Sequence, residues 1–214
     1  MALRLNVDMN EPGDRALMLA AEVIQAGGVV VYPTDTLYGI GANAWNTGAV
    51  RRVQAIKRRP EEKPVLVIVH SAGAALGLTD EVTKSGKALM ESFWPGPLTL
   101  LFRCGVHVPG AVTGSSGKIG IRVPSNRLCL RLSELGGCPL TSTSANISGE
   151  AAPGSVQEIE RALGPGVDLF IDGGVLPRAL PSTVVDVSEP VPHLVREGVI
   201  SYEDLKRIVS TILR

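Results

Sequence analysis

The period of the hydrophobic positions changes several times along the chain, and each change marks an element. Over residues 14–26, Leu17, Ala20, Ala21 and Ile24 recur at helical spacing until Gly27-Gly28 stops the run, which predicts a helix. VVVYP at 29–33 is continuously apolar and β-branched, the mark of a buried strand. TDTLYGIGANA at 34–44 reads as a Gly- and Thr-rich connection. Residues 48–58 return to helical spacing with Ala49, Val53 and Ile56 inward, and Pro60 is the stop. PVLVIVH at 64–70 predicts a strand, and a helix over about 80–92 leads to WPGP. PLTLLFR at 97–103 and KIGIRVP at 118–124 read as strands with no helix between them. Residues 126–135 read as helix and CPLTST at 138–143 as extended chain. Ser155 and Glu158 form a capping box for a helix ending near 163. VDLFID, STVVDV and HLVRE supply strands at about 167–172, 182–187 and 193–197. A last helix over 202–213 carries Leu205, Ile208, Val209 and Ile212 at helical spacing.

Early strands alternate with helices, which favours parallel pairing. Late strands follow one another through short turns, which favours antiparallel pairing. The expected fold is α/β (α+β): one twisted, mixed parallel and antiparallel sheet with flanking helices. No repeat, low-complexity linker or shift in composition divides the chain, so one domain over 1–214 is expected.

Composition adds limits. A chain of 214 residues is long enough for a real core. Twenty-one basic and 21 acidic residues cancel. That argues against a general nucleic-acid or membrane binder and leaves room for a local basic pocket. Cys104, Cys129 and Cys138 are scattered, with no CxxC or Cys/His pair at metal spacing. They read as small buried hydrophobes, as suits a reducing cytosol. The N-terminus lacks the apolar stretch of a signal peptide, and VLVIV at 65–69 is too short to span a bilayer.

Four segments carry candidate chemistry. AIKRRPEEKP at 55–64 gathers Lys57, Arg58, Arg59 and Lys63 where a helix ends. These cations either complement the helix dipole at a solvated end or converge on a phosphate. TSTSANISGE at 141–150 is dense in hydroxyls and amides: either a phosphate and sugar contact, or a turn satisfying its own backbone. YPTDTLYGIG at 32–41 delivers Thr34, Asp35 and Thr36 at the end of a strand, where α/β sheets bind ligands. Arg122, Arg196 and Ser182-Thr183 interrupt apolar strands. A strand arginine is costly unless it is paired or faces a ligand. Glu197 and Asp186 are candidate partners, and Lys118 shares a face with Arg122 at period two. No P-loop, GxGxxG or GxSxG motif is present.

In this order the stretches VVVYPTDTLYGIG, IKRRPEEKP, FWPGPLTLLF, IGIRVPSN, TSTSANISG, IDGG, STVVD and LVREGVI resemble the YrdC-like family. Within it they resemble the single-domain threonylcarbamoyl-AMP synthases, whose Lys-x-Arg and Ser-x-Asn pairs match Lys57/Arg59 and Ser144/Asn146. The match runs from about residue 28 to 200. The resemblance implies one α/β domain around a basic concave cleft, in a cytoplasmic protein. It implies condensation of L-threonine, bicarbonate and ATP, with magnesium, to threonylcarbamoyl-adenylate and pyrophosphate. Partner proteins would then move the group onto tRNA, next to the anticodon. It places ATP at Lys57, Arg59, Lys63, Lys118, Ser144, Asn146, Arg196 and the backbone near Ala152, and L-threonine at Thr36, Arg122, Ser142 and Ser182. No residue is assigned as acid or base and none as a metal ligand; Asp35 either positions magnesium or caps a turn. Many relatives carry a strand histidine where Ile68 stands, so His70 either substitutes for it or is a surface histidine. The chain stops at Arg214, so the C-terminal domain of longer relatives is expected to be absent. Two other readings stand: a non-catalytic binder of tRNA or double-stranded RNA, and a paralogue with another substrate. Steep salt dependence of RNA affinity would mark the first. Eroded Lys-x-Arg and Ser-x-Asn pairs would mark the second, and here both are intact.

Overall fold

The computed structural model describes residues 2–9, 11–176 and 180–214. Strand β1 (Leu3–Asn6) has no buried residue, and no apolar run announces it in the sequence. Helix α1 (Asp14–Gln25) buries Leu17, Ala20, Ala21 and Ile24, the four positions its spacing selects. Strand β2 (Val30–Pro33) is buried throughout. The supposed connection after it forms β3 (Tyr38–Gly41), folded back antiparallel on β2. Then follow α2 (Thr47–Ile56), β4 (Val67–Ile68), α3 (Ala72–Leu76), α4 (Lys84–Phe93), β5 (Leu98–Arg103) and the single turn α5 (Gly110–Thr113). The chain continues as β6 (Lys118–Arg122), α6 (Arg127–Gly136), β7 (Leu140–Thr141), β8 (Thr143–Ser144) and α7 (Val156–Leu163). It ends with β9 (Leu169–Asp172), β10 (Thr183–Asp186), β11 (His193–Arg196) and α8 (Tyr202–Ile208).

The pairing is mixed, as expected, but it is divided between two sheets rather than gathered in one. Their orders are β1-β9-β2-β3-β8 and β11-β10-β5-β6-β4-β7. Of the three late strands, β10 and β11 pair antiparallel, whereas β9 lies parallel to β1 and β2 in the other sheet. The reason is local to residues 140–144, which overlap the extended piece expected over 138–143. Thr141 pairs with β4 of the second sheet and Thr143 with β3 of the first. Ser142, between them, donates its N–H to Leu66 O at 2.7 Å. One strand therefore changes sheets at Ser142, and the two sheets meet there.

Alternation assigns the faces. Val30, Tyr32, Leu169 and Ile171 enter a cluster with α1 and α6. Val29, Val31, Ile40 and Phe170 enter another with α2 and α7. The first sheet is thus buried on both faces. The second packs Leu98, Leu100, Phe102, Ile119, Ile121 and Val185 into a third cluster with α4 and α8. Its other face carries Thr99, Lys118, Arg122 and Asp186, and this polar face turns toward the junction.

Two helix ends differ from expectation. Helix α2 stops at Ile56, before Pro60 acts: Arg58 takes φ 51°, Arg58 N–H bonds Ala55 O at 3.0 Å and Arg59 N–H bonds Gln54 O at 2.8 Å. This is a Schellman end with arginine at the left-handed position that glycine usually fills. Arg58→Gly is expected to raise stability by about 1 kcal/mol, read as a higher urea midpoint at unchanged slope. The last helix covers Tyr202–Ile208, not 202–213. After it the chain extends and Leu213 joins β11, accepting from Leu194 N–H at 2.7 Å and donating to Pro192 O at 2.9 Å. Capping an open sheet edge satisfies backbone groups that a longer helix would leave bare. Ile208, expected inward, is exposed, while Val209 and Ile212 are buried.

Candidate active-site cleft

A cavity of about 100 Å³ opens at the junction, lined from the first sheet by Thr34, Thr36, Tyr38 and Gly39 and from the second by Leu66, Arg122, Ser182 and Arg196. The crossing segment 142–144 completes it. That volume is well under the roughly 300 Å³ at which drug-sized ligands begin. It suits a small polar molecule, and anything as long as a nucleotide has to extend out of it.

Each side chain is aimed by its neighbours. The Thr34 hydroxyl closes the β2–β3 turn, donating to Leu37 O at 2.6 Å and accepting from Thr36 N–H at 3.1 Å. Arg122 is 7% exposed. It donates Nε–H to Gly96 O at 3.0 Å and Nη1–H to Thr36 Oγ1 at 3.2 Å, and its Nη2 meets Asp35 Oδ1. Guanidinium has five N–H groups, so these three bonds leave two unused. Asp35 is a salt-bridge partner rather than a simple turn cap; it also accepts from Ser125 Oγ at 2.9 Å. Ser182 Oγ lies 3.0 Å from Thr99 Oγ1, and Arg196 donates Nη2–H to Ser182 O at 2.8 Å.

Beside the cavity, the basic stretch packs against the Ser/Asn loop. Lys57 is 2% exposed. Its Nζ donates to Asn146 O at 2.7 Å and to Ser144 O, and burial, with Arg59 nearby, pushes its pKa down to about 8. Arg59 donates Nη2–H to Pro64 O at 2.7 Å. Among the described residues four buried side-chain polar atoms lack a hydrogen-bond partner. Three of them are Arg59 Nε, Asn146 Oδ1 and Ser148 Oγ, on these two segments. An unpaired buried polar group costs about 1–3 kcal/mol, so these atoms are places where a ligand or a water would complete the bonds.

The family model Sua5_yciO_yrdC, described as "Telomere recombination", matches residues 22–198. The chain belongs to this family. It is similar to a threonylcarbamoyl-AMP synthase of Pyrococcus abyssi, 34% identical over 196 residues, which is 92% of this chain and 58% of that protein. It is 37% identical over 197 residues to a putative threonylcarbamoyl-AMP synthase of Methanocaldococcus jannaschii, covering 92% of each. The crystal structure of P. abyssi Sua5 complexed with L-threonine matches with TM-score 0.94 at 32% identity, over all of this chain and 63% of that one. The chain therefore spans less than two thirds of the length of the P. abyssi protein.

Of the residues the family resemblance selects, Thr36, Arg122, Ser142, Ser144, Ser182 and Arg196 line one cavity. Arg59 and Asn146 flank it through the strut of Lys57. Lys63 is exposed on the same loop, and Ala152 lies half-buried between β8 and α7. Lys118 is not brought to the cavity. It stands four residues from Arg122 along β6, roughly 13 Å away, and its Nζ is 2.6 Å from Asp186. Glu197 and Asp186 are therefore not the partners of the strand arginines. His70 is exposed and lines a different, apolar depression with Trp45 and Cys138, so it is a surface histidine. Cys129 and Cys138 are buried, Cys104 is half-buried, and burial pushes the Cys138 thiol up to about 11. Thr99 carries no signal in the sequence: it sits in an apolar strand run, and only pairing shows it beside Ser182. Among the described residues no helix is long and apolar enough to cross a membrane.

Proposed function

We propose that the chain is a threonylcarbamoyl-AMP synthase, joining L-threonine, bicarbonate and ATP to give L-threonylcarbamoyladenylate and pyrophosphate. The observation that carries this reading is a pairing of two sites. One is a small hydroxyl-lined cavity holding a buried guanidinium with two spare N–H groups. The other is the adjoining set of unpaired buried atoms on the Lys-x-Arg and Ser-x-Asn segments.

In this reading Arg122 takes the threonine carboxylate, and Thr36, Ser142 and Ser182 hold its remaining polar atoms. Arg59, Ser144, Asn146 and Arg196, with Lys63 and the Ala152 backbone at the rim, hold the nucleotide. Lys118 joins them only by leaving Asp186. The threonine amine adds to bicarbonate with loss of water, giving a carbamate. A carbamate oxygen then attacks the α-phosphorus and pyrophosphate leaves. Such a step needs orientation and charge neutralisation more than a covalent nucleophile. The described residues contain no group of three or more His, Cys, Asp or Glu suited to a metal. Magnesium would be held mainly by the nucleotide phosphates and water, and would neutralise their charge. The adenylate would pass, in the cytoplasm, to proteins that modify tRNA.

The test is pyrophosphate release from ATP with magnesium, omitting L-threonine and bicarbonate in turn. Release that needs both is expected. Release needing neither, or none at all, overturns the reading and leaves RNA binding or another substrate to be titrated next.

A further inference from the structure

Lys57 is the most deeply buried cation of the basic stretch, and its bonds run to backbone. Its Nζ lies between Ser144 O and Asn146 O, and its own carbonyl accepts the Ser148 N–H at 2.9 Å. Three bonds thus tie one residue of the basic loop to alternate residues 144, 146 and 148. We propose that Lys57 is a positioning residue that sets the backbone of residues 144–148, and is not itself a phosphate ligand. What the loop holds rests on the functional reading above; the strut itself does not.

Three observations support the assignment. Lys57 is absent from the lining of the cavity, although Thr143 and Ser144 are part of it. Among the described residues, the loop's other backbone hydrogen bonds outside itself are the two-residue pairing of β8 with β3 and Ala145 N–H to Tyr38 O at 2.8 Å, while Ala145 and Ile147 pack on the cluster with α2 and α7. Asn146 spends its amide within the loop, on Ile147 O and Glu150 O. The third is chemical. Two carbonyls need two N–H donors, and a neutral amine supplies two, so the strut survives loss of the proton that burial favours. Because each peptide is planar, turning the carbonyls of Ser144 and Asn146 toward Lys57 also fixes how the intervening groups are presented. The unpaired Asn146 Oδ1 is among them, and the Ser148 N–H bond to Lys57 O ties the residue that carries the unpaired Ser148 Oγ.

The test is amide hydrogen exchange on the ligand-free protein, comparing wild type, Lys57→Met and Arg59→Ala. Exchange over residues 143–149 is expected to quicken at least tenfold in Lys57→Met relative to peptides from α1 and β2, and to stay at the wild-type rate in Arg59→Ala. ATP titrated by calorimetry should bind Lys57→Met more weakly with wild-type salt dependence, whereas Arg59→Ala loses salt dependence. Wild-type exchange over 143–149 in Lys57→Met overturns the proposal. Should that variant not fold, Lys57→Gln keeps two N–H donors without charge, and its loop should exchange close to the wild-type rate; quickening there overturns it. The exchange is read without ligand, so it stands even if pyrophosphate assays refute the synthase.

Discussion

Replacing Arg122 by methionine is expected to lower kcat/KM for L-threonine by at least about 30-fold. Truncating one partner of a buried, hydrogen-bonded charge pair costs about 2–5 kcal/mol, and each 1.4 kcal/mol is tenfold. Arg122 is such a partner twice over, paired with Asp35 in the cleft and facing the threonine carboxylate in the proposed complex. Methionine keeps most of the side-chain volume, so the loss reads the guanidinium rather than a cavity. Arg122→Lys should not restore activity. A single ammonium cannot reach Gly96 O, Thr36 Oγ1 and Asp35 at once while still offering a fork. Steady-state pyrophosphate release against threonine concentration is the measurement, with ATP affinity as control. A threonine KM within threefold of wild type would remove Arg122 from carboxylate binding.

The second large effect is on the joint between the sheets. A Cβ on Gly41 would lie 1.9 Å from Thr141 O, a backbone atom that no rotamer change can move aside. Relief means parting β3 from the crossing segment. That sacrifices Thr141 N–H to Ala42 O and Ala42 N–H to Thr141 Oγ1, both 2.9 Å. With overpacking at about 1–3 kcal/mol and each bond at about 1 kcal/mol, Gly41→Ala should cost roughly 4 kcal/mol. A fall in urea midpoint at unchanged slope would show it. A loss under 1 kcal/mol would mean the junction is softer than its contacts imply. Gly39, two residues earlier, is the contrast: its nearest neighbours stand at 3.4 Å, so Gly39→Ala should fold and act on the cavity instead.

Much of this was legible along the chain. Helix α1 buries the four residues its period selects, and Ser155 caps α7, accepting from Glu158 N–H at 3.4 Å. Glu158 returns to Gly154 N–H rather than to Ser155, a box displaced by one residue. Legibility failed where long-range pairing outweighs local preference. The stretch 38–41 reads as a Gly-rich loop because glycines lower strand propensity. Here they are what allows β3 to approach Thr141 and Ser142 closely.

For the site, residue types and spacing marked the Lys-x-Arg, Ser-x-Asn and Thr-Asp-Thr segments as candidates with turn and helix-end chemistry as the alternative, and the family resemblance chose among their residues. Hydrophobic period likewise determined the buried face of α1, since that is a property of neighbours along the chain. Partners are not. That residues 140–144 change sheets at Ser142, that Arg122 meets Asp35, and that Lys57 turns inward to two carbonyls while Lys118 pairs with Asp186 were decided only by the tertiary structure. The charge contacts among them join residues 68 to 89 positions apart, and a charge seeks whichever acceptor the folded chain places within reach, not the nearest one in sequence.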